Sequence, residues 1–301
     1  MFPLMRTAFA ALSLFLTSAC DPQPATGDEY ALLRRKMVLE QFTAPGRNIK
    51  NPRVLEAIGA VPRHEFVPAS VQKYAYSDEP LPIGYGQTIS QPFIVAFMTE
   101  QLDPKPTDRI LEIGTGSGYQ AAILSCLVAE VYTIEIIEPL ARRAEANLRR
   151  LGYSNVKVLA GDGYKGWPEF SPFDGIIVTC APDQIPQPLV SQLKQAGRMI
   201  VPVGSPENQQ LYLLRKQGSK LEEQAVLPVR FVPMGFYGWG YPCYCGYPYE
   251  YAYTHGENAY YGTSGFSNYS YRTSAYESAN NHWYGVCRCL ADLNRISRQV
   301  R

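Results

Sequence analysis

A doubly wound, mostly parallel α/β sheet is the architecture this sequence predicts. Three observations carry that prediction. Short apolar runs alternate with helix-period segments from Asp108 to Val203, a glycine turn spans Gly114–Gly118, and acids close the next two strands at Glu135 and just after Leu159 at Asp162. Strands separated by helices imply parallel pairing with helices on both faces. A helical and loop region that meets the substrate is expected ahead of the sheet.

Taken in chain order, residues 29–42 set Tyr30, Leu33, Met37, Leu39 and Phe42 among Arg34, Arg35, Lys36 and Glu40, which suits an amphipathic helix. Asn51-Pro52 starts a second helix, because proline is preorganised for a first turn and Val54, Leu55 and Ile58 come after it at helical spacing. Val61–Pro68 holds two prolines without periodicity and predicts an ordered loop. Tyr76–Pro92, rich in Pro, Gly and polar side chains, predicts a binding loop without helix or strand. A helix returns over 93–102. Strands are predicted at 109–113, 131–135, 155–159, 173–179 and 198–203, with helices at 119–128, 138–151 and 189–195 between them. Two closing strands, 210–215 and 224–232, are joined by the turn Lys216–Lys220.

Composition narrows the function classes. Of 301 residues, 28 are Lys or Arg and 27 Asp or Glu, so no basic excess points to a nucleic-acid partner. Residues 1–28 read as a targeting segment: Arg6, the apolar run Ala8–Leu16, then small residues. That run is too short to span a bilayer as a helix. Leu16–Cys20 looks like a bacterial lipobox, with Thr17 where that motif usually has Leu. On that reading Cys20 is lipidated, Asp21–Gly27 is a spacer, and the protein is an exported, periplasmic or membrane-anchored lipoprotein. The alternatives are plain cleavage near Ala19 or a cytoplasmic protein. Residues 235–301 hold 13 of the 22 tyrosines and few aliphatics, too few to build a normal core. The pairs Cys243/Cys245 and Cys287/Cys289 suit disulfides in an exported chain better than zinc, for which C-x2-C spacing is missing. A run-on end is the duller alternative for this tail.

The chemistry lies in the glycine turn and in the two acids beyond it. Dinucleotide sites want G-x-G-x-x-G, whose last position here is Tyr119. The spacing present is G-x-G-x-G at Gly114, Gly116 and Gly118, which is typical of methyltransferases, with the ligand's amino-acid end over the turn. Glu135, 21 residues beyond Gly114, is placed for ribose hydroxyls; Asp162 is placed for an adenine amino group, with Gly163 leaving room for the ring. Each acid on its own could be a helix cap or a surface charge.

Pro80–Gly84 with Gly86–Pro92 closely resembles the substrate loop of protein-L-isoaspartate O-methyltransferases. Val61–His64, Leu111–Gln120, Gly161-Asp162-Gly163 and Phe231–Met234 also resemble that family, in its order and over about two-thirds of the chain. Ala196 departs from it, since the family often has Gly there. The resemblance implies a Rossmann-like methyltransferase fold over residues 29–234 and S-adenosyl-L-methionine as cofactor, held by Gly114, Thr115, Gly116, Gly118, Glu135, Asp162 and Gly163. It implies isoaspartyl proteins and peptides as partners, repair as the outcome, Ser90 as the catalytic residue, and Thr88 and Ile89 lining the substrate junction. A helix N-cap is the bland role for Ser90. No metal is expected, and the enzyme is expected to be a monomer.

His64 has no acid or Cys at ligand spacing and is read as structural; Cys126 and Cys180 are read as inert core fillers. Two rivals stand beside the enzyme: an exported binding protein that keeps the fold without turnover, and a methyltransferase for another acceptor.

Overall fold

The computed structural model describes residues 29–43, 46–218 and 220–235. The targeting segment with Cys20 and the tail beyond Gly235 with its C-x-C pairs lie outside the described residues.

Helix α1 (Glu29–Met37) continues into a single widened turn, Val38–Phe42, and α2 spans Pro52–Ala60. Asn51 caps α2 by accepting from the Arg53 N–H at 3.1 Å, as the Asn-Pro pair predicts. The segment after it is more regular than its prolines suggest, with a 3-10 turn at Arg63–Phe66. The larger correction falls on 76–92. Far from lacking strands, it folds as a hairpin, β1 (Leu81–Gly84) against β2 (Gln87–Ile89), turning at Tyr85 and Gly86 with φ of 55° and 69°. The strands are so short that period-two alternation has no room to show. Helix α3 (Pro92–Leu102) comes directly after it.

The remaining elements are β3 (Arg109–Ile113), α4 (Tyr119–Ser125), β4 (Glu130–Glu135), α5 (Glu138–Arg150), β5 (Val156–Ala160), β6 (Phe173–Val178), α6 (Gln187–Gln192), β7 (Leu193–Ser205), β8 (Asn208–Gln217) and β9 (Lys220–Val229). They form one seven-stranded sheet in the order β5-β4-β3-β6-β7-β8-β9. The five strands from β5 to β7 pair in parallel, and β8 and β9 add antiparallel at one edge. The predicted doubly wound sheet is therefore observed. The predicted 189–195 helix ends at Gln192, and β7 begins there instead; Leu193 pairs with Phe173 before the strand bulges and re-registers at Arg198.

Successive side chains on a strand point to opposite faces, and the core divides accordingly. Ile110, Ile177 and Ile200 join the layer that holds Ile58, Met98 and Ile123, whereas Leu111, Ile113, Ile176, Val178, Met199 and Val201 join the other with Leu189. On β3 the chain winds toward β4 on one side, then crosses back to place β6 on the other. Such a reversal opens a crevice beyond the strands' carboxyl ends.

The one family departure has a local consequence. Ala196 sits at φ 62°, the left-handed region in which a Cβ crowds its own backbone. Ala196→Gly is expected to stabilise the fold by about 1 kcal/mol, read as a raised denaturant midpoint at unchanged m-value. A lowered midpoint would show that this alanine carries no backbone strain.

Candidate active site

The crevice beyond β3, β4 and β6 is a cleft of about 630 Å³. Its floor is the glycine turn. Gly114, Gly116 and Gly118 take φ of 96°, 53° and 89°, where L side chains are strained. The turn is pinned from three directions. The Ile134 carbonyl accepts from the Gly114 and Thr115 N–H groups at 2.8 and 3.2 Å. The Glu135 carboxylate accepts from the Gly116 N–H at 2.8 Å and the Ile137 N–H at 3.0 Å. The Thr179 hydroxyl lies 2.6 Å from the Gly114 carbonyl and 2.9 Å from that of Ile113. A Cβ on Gly114 would come within 2.5 Å of that hydroxyl, so the glycine is fixed by crowding as well as by φ.

Most of the residues predicted from sequence meet in this cleft: Thr88, Ile89, Ser90, Gly114, Thr115, Gly116, Glu135, Asp162 and Gly163 all line it. Gly118 does not. A Cβ there would press on Leu148 of α5 at 3.2 Å, so its place is a packing position behind the turn. Thr115 contributes backbone only, because its hydroxyl is buried against that of Thr133 at 2.6 Å. Gly163 lines the cleft, and its missing side chain also makes space for Ile113, whose Cγ2 would lie 2.4 Å from a Cβ. Asp162 realises its bland role in part, capping a short 3-10 turn through the Tyr164 N–H at 3.0 Å while it faces the cleft. Ser90 is not the N-cap of α3. That position is Gln91, whose own side chain makes no capping bond; the Phe93 N–H in the first turn donates instead to the Asp78 carboxylate at 3.4 Å.

The hairpin is fastened to the glycine turn. The Ile83 side chain lies where a Cβ on Gly116 would meet it at 3.3 Å, and Arg143 of α5 donates to the Ile83 carbonyl. The strand that carries Thr88 and Ile89 therefore has its place set by the turn beneath it.

Sequence reasoning passed over Glu112, although a charge inside an apolar strand was the available signal. It is fully buried on β3, both carboxylate oxygens lack a hydrogen-bond partner, and it lines the cleft. Burial, opposed only in part by the nearby Thr133 hydroxyl and reinforced by Glu135, pushes its pKa up to about 8. Burial raises Glu135 too, against the backbone N–H groups that favour its ionised form. Cys180 packs against the core as expected and also forms part of the cleft wall, where burial keeps its thiol protonated. His64 stacks on Tyr30 with ring centroids 4.0 Å apart and meets the Tyr76 hydroxyl through Nδ1 at 2.8 Å, a structural setting outside the cleft.

An orphaned buried carboxylate at the cleft floor, beside a second acid that closes β4, fits a ligand with a cationic amino-acid end and a ribose. A doubly wound sheet with a G-x-G-x-G turn and that donor set defines an S-adenosylmethionine-dependent methyltransferase. Residues 34–236 match the family model for protein-L-isoaspartate(D-aspartate) O-methyltransferase, and the chain belongs to that family. A protein-L-isoaspartate O-methyltransferase 2 from Syntrophobacter fumaroxidans is 52% identical over 236 residues, covering 75% of this chain and 96% of the relative. One from Nitrosococcus oceani is 57% identical over 190 residues, covering 63% and 87%. Among solved structures, a protein-L-isoaspartate O-methyltransferase superposes with a TM-score of 0.60 at 33% identity, over 67% of this chain and 66% of that one. A Plasmodium falciparum β-aspartate methyltransferase structure, in complex with S-adenosyl-L-homocysteine, shares the fold at 23% identity and a TM-score of 0.58, over 68% of this chain and 97% of that one.

The Glu112 shift has a measurable sign. Between the ordinary 4.5 and about 8, the folded chain keeps a proton that the unfolded chain has lost. Stability of the ligand-free enzyme therefore falls as pH rises through that window, by at most about 1.4 kcal/mol per pH unit from this group. Denaturant unfolding at several pH values should show this slope flattened in Glu112→Gln. An identical slope in the variant would assign the effect to another group.

Proposed function

We propose that residues 29–234 are the methyltransferase domain and that Ser90 is its catalytic residue, with Thr88 and Ile89 at the junction between acceptor and methyl donor. The enzyme methylates the carboxylate of L-isoaspartyl residues in damaged proteins, using S-adenosyl-L-methionine, and so starts their repair. The observation that supports the residue assignment is that Thr88–Ser90 and the glycine turn face one cleft, with the Ser90 side chain not used as a helix cap.

The cofactor would be held by the Gly114–Gly116 backbone and Glu112 at its amino-acid end, by Glu135 at the ribose and by Asp162 at the adenine. When bound, it supplies an electrophilic methyl on a sulfonium that departs as a neutral thioether. The chain's residues then need only align and desolvate. A carboxylate with a reference pKa of about 4 is ionised at neutral pH, so no general base is required. The Ser90 hydroxyl donates to one oxygen of the acceptor and turns the lone pair of the other toward the methyl. Buried Ile89 and the Phe231–Met234 segment exclude water from the nucleophile. In the product ester, the following backbone nitrogen attacks the carbonyl, methanol leaves, and hydrolysis of the resulting succinimide returns part of the chain to normal aspartate.

The first 28 residues extend the proposal. Arg6, the apolar 8–16 run and the Leu16–Cys20 sequence support export, with acylation at Cys20 and residues 21–28 as a tether. The enzyme would act as a monomer held at a membrane surface.

Two outcomes are expected. Ser90→Ala should lower kcat for an isoaspartyl peptide by about tenfold or more, the scale of one hydrogen bond to a charged group, with the aspartyl twin inert in both enzymes. Unchanged kcat would remove Ser90 from catalysis. Growth with a labelled fatty acid should label the wild type and not Cys20→Ala; equal labelling, or none in either, would end the lipoprotein assignment.

A further inference from the structure

The charges lining the cleft are unbalanced for an enzyme whose acceptor is an anion. Asp78, Glu79, Glu112, Glu135 and Asp162 all face it. Only Asp78 among them is paired with a strong cation, Arg47, and Asp162 has Lys165 no nearer than 3.8 Å. With Glu112 protonated and Asp78 paired, the remaining acids still leave a negative field that disfavours a free carboxylate. Among the described residues that line the cleft, one side chain carries a positive charge: Arg230.

Arg230 is set for an external partner. It lies just past the end of β9, where Phe231 turns inward and is 9% exposed. The Phe231 backbone is held at both ends by Gln209, which accepts from its N–H at 2.5 Å and donates to its carbonyl at 3.1 Å. Alternation along this extended segment leaves Arg230 exposed on the cleft rim, and no described carboxylate forms an ion pair with it. An anchored backbone that presents an unpaired guanidinium into an acid-lined opening is a carboxylate-recognition arrangement.

We infer that Arg230 is the substrate-binding residue that admits the isoaspartyl carboxylate, selecting an anionic acceptor against the negative field of the cleft. This rests on the activity proposed above. The same contact explains turnover: methylation converts the carboxylate to a neutral ester, so the attraction that brought the acceptor in is lost when the product forms. Because the guanidinium attracts the acceptor before reaction, its contribution lies in KM and not in kcat.

The test uses the full chain, labelled S-adenosylmethionine and a peptide with one isoaspartate, at two ionic strengths. Arg230→Gln should raise KM about tenfold with kcat little changed, the scale of one charge-assisted hydrogen bond at a partly exposed site. Arg230→Lys should recover part of the loss. The wild-type KM should rise with salt, and that sensitivity should shrink in Arg230→Gln but persist in Lys220→Gln, which removes a charge from the far end of the same strand. S-adenosylhomocysteine affinity, measured by calorimetry, should be the same in all variants. An unchanged KM, or a loss of S-adenosylhomocysteine affinity that accounts for the kinetic defect, would overturn the inference. Failure of the wild type to methylate the peptide would instead strike the proposed activity, and the inference with it.

Discussion

Everything functional in this molecule depends on how three left-handed glycines are held at the end of β3. A turn of Gly114, Gly116 and Gly118 gains freedom in the unfolded chain that it must surrender on folding. The structure offsets that cost with hydrogen bonds from neighbours on both sides: Ile134 and Glu135 at the end of β4, and Thr179 beyond β6. Glu135 is thus more than an acid waiting for a ribose. It secures the turn through the Gly116 N–H, and the turn in turn seats Ile83 of the hairpin that carries the proposed acceptor residues Thr88 and Ile89. One network therefore sets both halves of a two-substrate site, which is what a reaction driven by alignment requires.

That arrangement leaves carboxylates in poor surroundings. Glu112 has no hydrogen bond of good geometry, only a Thr133 hydroxyl near enough to favour its ionised form slightly, and nearby Glu135 pushes it further up. Replacing Glu112 with an apolar residue would relieve the ligand-free fold, since an unpaired buried acid costs more than a well-packed hydrophobe. Its retention makes sense only with a cationic group to meet it. Near neutral pH the arrival of that group would also draw off the proton, so that binding and ionisation are linked. Instability in the empty cleft is the counterpart of affinity in the filled one.

The sequence made the sheet legible because buried parallel strands are apolar runs and the helices between them keep a clear period. The cleft was legible for the same reason that it exists: glycines and acids at strand ends violate that apolar pattern. What escaped was information that only packing holds. The hairpin at 81–89 is too short to alternate. Gly118 looks like a ligand contact in a motif, yet the space it frees is taken by Leu148, and Gly163 makes room for Ile113 as well as lining the cleft. Glu112 was visible as a charge in a strand, but its orphaned state depends on which neighbours fail to reach it. Arg230 could not be distinguished from any surface arginine until the strand end placed it on a cleft that five acids also line.

Those placements divide the cleft by charge. The acids of the floor, Glu112 and Glu135, lie where the chain is buried and suit a ligand that brings positive charge; Arg230 stands at the exposed rim and suits one that brings negative charge. In the empty cleft Glu112 is protonated and Glu135 faces an incoming carboxylate alone, whereas a bound cation would balance both acids. The electrostatics thus favour an order in which the cationic cofactor fills the floor before the acceptor crosses the rim. With the floor balanced, an acceptor drawn in by Arg230 as inferred would reach the proposed Ser90 contact in a water-poor environment, where its own negative charge is the most reactive group present.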